Sequence, residues 1–459
     1  MPIDAPASAL AVLDRLLDRL PTGVAADARL EAGTYATIRF ANSWIHQPTR
    51  DRAATVSLRV WRDERLGTAT SSDLSRPGLD ALVRAATSLA RVAPKDPKFP
   101  GFSRGSGGSV PPTPFDRATG RLAPDRLTAR AHAAIDGAHE VVASGRVFGV
   151  LNQGVETLAV ANTSGLRRAT RRSMTHASVL VDRVDLDPPV SGWSEGAHLA
   201  ERGLDPKQLG REAAERMPSR PPEAVPPGPY RVLLDGPAFG EAMSFLGYLG
   251  FGGRAADDGY SCLAGKRGRA VGADELELVD DGRAPESLPS AIDYEGTPKR
   301  RRALLHRGVA GPPVTDLVTA GHLGMKPTGH ALPPESPSGE IGAIPTNLIV
   351  RPGRATWDEL VQSVRRGLLV TRFHYVRVVH PAKGVITGMT RDGTYWIERG
   401  AIVRPVRNLR FTESVLAIAR GVELLGRTTR CYSEERGGSA VTTPAAVVRR
   451  VNFTSATLF

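Results

Sequence analysis

Cysteine is nearly absent from this 459-residue chain. The two that occur, Cys262 and Cys431, lie far apart in the sequence, which excludes a disulfide framework and any CxxC metal knuckle and fits a reducing compartment. Long apolar runs are missing too: none approaches the roughly 20 residues that a membrane-crossing helix needs. A basic, apolar leader is likewise not apparent. The N-terminal stretch carries Asp4, and its Leu10, Leu13, Leu16, Leu17 and Leu20 recur at helical spacing rather than in a block, so a cytoplasmic protein is expected. Aromatic residues make up only 5% of the chain. This scarcity bears on the net charge of +12, because the basic clusters Arg167, Arg168, Arg171 and Arg172 and Lys299 to Arg302 are short and have few aromatics among them to stack bases. They read as solvated surface, and nucleic acid is not expected as a partner. No P-loop, no GxGxxG between a strand and a helix, and no GxSxG elbow is present.

Proline and glycine, by contrast, are plentiful, with 36 and 48 residues. They concentrate in Ala93–Gly120 and Met217–Tyr230, which divide the chain into an N-terminal α+β domain (1–92), a Pro/Gly-rich linker or loop (93–120), a middle α+β domain (121–222) and a C-terminal β-rich domain (223–459). The glycines of 105–108 sit in the linker, where flexibility is a better reading than phosphate binding. Each of the first two domains reads as helices with antiparallel strands. Helices are predicted at the N-terminus, over Leu79–Val92, over Leu127–Ser144 and over Asp205–Met217. The third domain is dense in short strands broken by turn signals. Strands are predicted at ALLHRGV, TNLIVRPG, LLVTRF and YVRVVH, and Arg391–Val406 reads as a hairpin with turns at Asp392-Gly393 and Arg399-Gly400. Trp357 and Asp358 open a helix that Arg366-Gly367 is expected to cap. The fold class expected is α+β, with a large, mainly antiparallel C-terminal sheet system.

Four phrases in this third domain stand in the order and approximate spacing of a known family: Asp293–Val309 (DYEGTPKRRRALLHRGV), Thr319–Ala331 (TAGHLGMKPTGHA), Pro345–Thr371, and Trp396–Ser414. Through them the chain resembles the TldD/PmbA family. The strand phrase YATIRF and Asn162–Gly165 extend the resemblance more weakly over the earlier domains.

The resemblance implies, for the catalytic branch of the family, zinc bound by an HExxxH motif on a helix after the first strand of the third domain, with a later cysteine as a further ligand. Histidines on neighbouring turns of a helix hold one ion, and the adjacent glutamate activates its water. Here the corresponding helix reads GEAMSF. Gly240 and Phe245 stand at the histidine positions, Glu241 stands where the general base would be, and Cys431 stands near the cysteine position. Without a metal Glu241 has no water to activate, and a lone thiol does not hold zinc. His322, His330, His374 and His380 are candidates for lining the same cavity.

The resemblance therefore implies a PmbA/TldE-like subunit without its own cofactor, paired with a zinc-bearing TldD-like chain to process unfolded or modified peptides. Two other readings follow from the same residues. One is a standalone member using Glu241 or the histidines for a different, non-zinc reaction, and the other is a homodimeric peptide-binding protein.

Overall fold

The computed structural model describes residues 5–105, 115–333, 341–433 and 438–457. Most of the glycine run 105–108 lies outside these residues. The fold is α+β, as expected from the order of helix and strand signals.

The first sheet has six antiparallel strands: β1 (Ala25–Ala41), β2 (Trp44–Arg62), β3 (Arg65–Ser71), β4 (Arg146–Asn162), β5 (Arg167–Arg183) and β6 (Val190–His198), in the order β3-β2-β1-β4-β5-β6. β1 pairs with β4 from Asp27↔Asn162 to Phe40↔Gly149, so strands from both sides of the Ala93–Gly120 stretch share one sheet. Alternation assigns the two faces. Ala26, Ala28, Leu30, Ile38 and Phe40 of β1 point to one face, where α1 (Pro6–Leu17) and α2 (Arg76–Val92) cover one half and α4 (Pro124–His139) and α5 (Pro206–Glu215) the other. The short α3 (Arg117–Gly120) precedes α4.

The opposite face carries Asp27, Arg29, Glu31 and Arg59 and is buried against the third domain. The Arg59 guanidinium donates to Asp27 (3.0 Å) and to Glu295 (2.7 Å), and Glu295 also accepts from the backbone of Leu317 at 2.8 Å. Three nearly inaccessible ionisable side chains therefore join the sheet to the DYEG phrase. The first part of the Pro/Gly-rich stretch is fixed as well: Phe99 and Phe102 are buried beside Leu317, and the Phe99 ring lies 4.6 Å from that of Trp61.

The C-terminal sheet comprises β7 (Gly228–Leu234), β8 (Leu278–Asp280), β9 (Arg302–His306), β10 (Val309–Ala310), β11 (Asn347–Val350), β12 (Arg366–His380), β13 (Val385–Glu398), β14 (Ala401–Pro405), β15 (Leu409–Ser414), β16 (Val422–Ser433) and β17 (Ala440–Ala456). Its pairings are antiparallel except β7 with β12 and β11 with β17. The run β17-β15-β13-β12-β7 returns to β17, closing five strands into a ring. α6 (Gly236–Phe251) follows β7 and packs on β17 and β12, with α7 (Gly253–Asp257) and α8 (Leu317–Leu323) beyond it. None of the helices among the described residues is long and apolar enough to cross a membrane.

Two glycine pairs, one expected in a turn and one at a helix cap, lie instead in strands. Asp392-Gly393 does not turn the chain: both residues sit within β13 at positive φ, where the register against β12 slips and the Thr371 hydroxyl donates to the Gly393 carbonyl at 2.9 Å. The Asp-Gly pair serves a bulge, which demands the same backbone freedom as a tight turn. Arg366-Gly367 is not a helix cap either. That helix, Trp357–Ser363, starts with a Thr356/Glu359 capping box and ends earlier, and Arg366 opens β12. Gly367 is there because a Cβ would meet the Arg231 carbonyl at 2.1 Å.

Candidate functional site

α6 starts where β7 ends, with the Asp235 side chain accepting from the Gly236 amide. Ala238, Phe239, Ala242, Met243, Leu246 and Leu249 are buried in the domain core. The remaining stripe, Pro237, Glu241, Ser244, Phe245 and Tyr248, recurs at helical spacing and lines a cavity of about 520 Å³. The opposite wall comes from Trp193 and Glu195 of β6, Arg372–Tyr375 of β12, and Tyr432 and Ser433 of β16. The cavity thus lies where the first sheet meets the barrel strands.

Glu241 faces this cavity, and no side chain or backbone group among the described residues hydrogen-bonds to its carboxylate. Burial pushes its carboxyl up to about 7, with Glu195 adding to the shift and Arg372 and Arg377 opposing it. Arg372 is differently placed: its Nε donates to Asp392 at 2.6 Å, and its guanidinium lies 4.4 Å from the Trp193 ring centroid. Glu195 accepts from the Ser433 amide at 3.3 Å and stands 3.7 Å from His176 Nε2.

Of the four histidines expected near this cavity, His374 alone lines it, held below the usual imidazole range by burial and by Arg391 and Arg372. His322 instead bridges Asp257 (2.6 Å) and Asp96 (3.0 Å). His330 is fully buried, between Asp280 and Thr328, each at 2.9 Å. His380 is exposed at the end of β12.

The three positions compared with the zinc ligands are also separated. Phe245 is on the cavity stripe. Gly240 lies about 140° around the helix from it and faces β17, where a Cβ would meet Thr443 at 3.0 Å and Val441 at 3.1 Å. Cys431 precedes Tyr432 on β16, so its side chain takes the opposite direction and is buried among Met174, Ala197, Leu288 and Ala440, with the thiol pushed up to about 12 by burial. Among the described residues no three His, Cys, Asp or Glu side chains form a group able to hold a metal ion. The donors facing this cavity therefore do not fit a zinc ion.

Arg372, Trp193, Glu195 and Tyr432 were not singled out from sequence. Glu241, Ser244, Phe245 and Tyr248 carry a helical-period signal that marks one stripe, but nothing local says that β6 and β12 supply the facing wall.

A helix-lined cavity thus sits where a helix-covered antiparallel sheet meets a mixed sheet that closes five of its strands into a ring, within one α+β scaffold. Comparisons with known proteins identify that scaffold. Residues 227–455 match the profile of the PmbA/TldA metallopeptidase C-terminal domain, and residues 26–90 match that of PmbA/TldA metallopeptidase domain 1. The chain belongs to the PmbA/TldD metallopeptidase family. It is 26% identical over 251 residues to a metalloprotease of Methanothermobacter thermautotrophicus, a match that spans only about half of each chain (52%). Over 84% of both chains it is 23% identical to the metalloprotease PmbA of Escherichia coli O157:H7. Its fold is similar to that of TldE from Thermococcus kodakarensis, with a TM-score of 0.84, 16% identity, and coverage of 97% of this chain and all of that one.

Proposed function

We propose that this chain is the non-catalytic, PmbA/TldE-like subunit of a cytoplasmic two-chain metallopeptidase that processes unfolded or modified peptides, the zinc being held by a TldD-like partner. The observation that carries the reading is the cavity face of α6, which presents Pro237, Glu241, Ser244, Phe245 and Tyr248 and no histidine. A helix of this composition contributes walls and one carboxylate rather than a metal-activated water. In a pair, such a cavity and the adjacent strands complete a chamber for an extended peptide, which is bound through backbone hydrogen bonds and side-chain pockets.

The test is co-expression with a TldD-like chain carrying HExxxH. The two chains are expected to co-elute as a heterodimer. Self-association of this chain with no affinity for the partner would replace the reading with that of a homodimeric peptide-binding protein.

A second reading has its own observation. Glu241, with its carboxyl pushed up to about 7, shares the cavity with His374, and a base poised near neutrality suits general acid–base work. Turnover by the lone, metal-free chain that disappears in Glu241→Gln would select it.

A further inference from the structure

Aromatic residues are scarce in this chain, yet six of them line the α6 cavity: Trp193, Phe245, Tyr248, Phe373, Tyr375 and Tyr432. Aromatic faces carry partial negative charge and attract cations, more strongly where water is excluded. One wall already does so, since the Arg372 guanidinium lies over Trp193 while Asp392 balances its charge. The Glu241 carboxylate is the uncommitted group. It stands among the aromatic rings with no hydrogen-bonding partner among the described residues, and Glu195 presents a second carboxylate to the same space. A carboxylate kept half-buried without a partner is costly to the fold and is best matched by a donor that arrives with the ligand. The volume, about 520 Å³, suits a long side chain.

We propose that this cavity binds the ammonium or guanidinium group of a lysine or arginine side chain within an extended peptide, with Glu241 as its counter-ion and the aromatic rings as its walls. The inference rests on the peptide-chamber reading and names the side-chain class that the chamber accepts. Because Glu241 must be ionised to pair with the incoming cation, binding tightens as the pH rises from 6 to 8. The charged and titratable groups around it are Arg372 and Arg377, which oppose the cation, Glu195, which favours it, and His374, which burial, Arg391 and Arg372 hold toward its neutral form.

The test is isothermal titration of the purified chain with capped tripeptides, Ac-Ala-X-Ala-NH2, where X is lysine, arginine, norleucine or glutamate, and with butylamine as a free amine. The lysine and arginine peptides are expected to bind saturably, and roughly tenfold more tightly than the norleucine peptide, a ratio equivalent to about 1.4 kcal/mol. The glutamate peptide is expected to bind more weakly still. Glu241→Gln is expected to remove most of that preference. Tyr375→Leu, on a rim residue that is 64% exposed, is expected to lower affinity several-fold without disturbing the fold. Thermal melts of both variants confirm that they are folded. Equal binding of the norleucine peptide, unchanged lysine binding by a folded Glu241→Gln chain, or no binding at all would overturn the proposal. Butylamine binding as tightly as the lysine peptide would overturn its peptide part. All of these measurements use the lone chain, so failure to co-elute with a TldD-like partner would sink the subunit reading while leaving this result interpretable.

Discussion

Glu241 weakens the fold in which it sits. Its carboxyl is at about 7 in the folded chain against an ordinary value of 4.5, so the folded state holds the proton more tightly than the unfolded state. Stability linked to this group is therefore present below pH 4.5 and is lost as the pH rises toward 7. Glu241→Gln, which keeps the shape and removes the charge, is expected to match the wild type in chemical denaturation at pH 5 and to exceed it by about 1–2 kcal/mol at pH 8. The Arg59 site behaves in the opposite way. Arg59→Met leaves Asp27 and Glu295 buried without their cation and is expected to destabilise the chain by about 3–5 kcal/mol, read from the same denaturation curves. Neither environment is legible in the sequence. Alternation along β1 puts Asp27, Arg29 and Glu31 on one face, but a strand pattern reports which residues share a face and not what covers it.

Elements with a local signal were legible. The leucine spacing of α1 and the apolar periodicity of α2 and α5 come from side chains within one turn of each other. Asp392-Gly393 and Arg366-Gly367 were misassigned for a related reason: a bulge, a turn and a close strand approach all ask for glycine, and tertiary contacts decide among them. The α4–α5 pair illustrates such contacts. Cβ atoms at Gly137 and Gly210 would lie 2.1 Å from the Lys207 carbonyl and 1.9 Å from the Ala134 carbonyl, so each helix presses its backbone on the other's glycine. Gly210→Ala meets a backbone atom that does not rotate away, and a loss of about 2–3 kcal/mol is expected in thermal or chemical melts. A second link between elements is His322, which ties α8 to Asp257 of α7 and to Asp96 beyond α2. Carboxylates only accept, so both ring nitrogens must donate and the ring is an imidazolium, with its pKa raised by the two carboxylates against the opposing effect of burial. The stabilisation is complete below pH 6.5 and is lost as the pH rises through the higher folded value. His322→Gln is expected to lower stability by about 1 kcal/mol at pH 6 and by less at pH 9.

At the scale of the whole molecule, a helix layer covers one face of the first sheet, and the charged face of that sheet docks on the third domain. The cavity opens along this junction, so β6 and β12 meet there only through tertiary packing. This is why four phrases of sequence were enough to suggest the family, while Gly240, compared with a zinc ligand, turned out to face β17 rather than the cavity. Family membership speaks to the scaffold, and the side chains facing the cavity speak to what this copy of it does. The decisive measurement is hydrolysis of an unfolded peptide by the purified chain with zinc added, repeated after mixing with a TldD-like partner. No turnover is expected from the chain alone and turnover from the mixture, whereas zinc-dependent turnover by the chain alone would contradict a non-catalytic role.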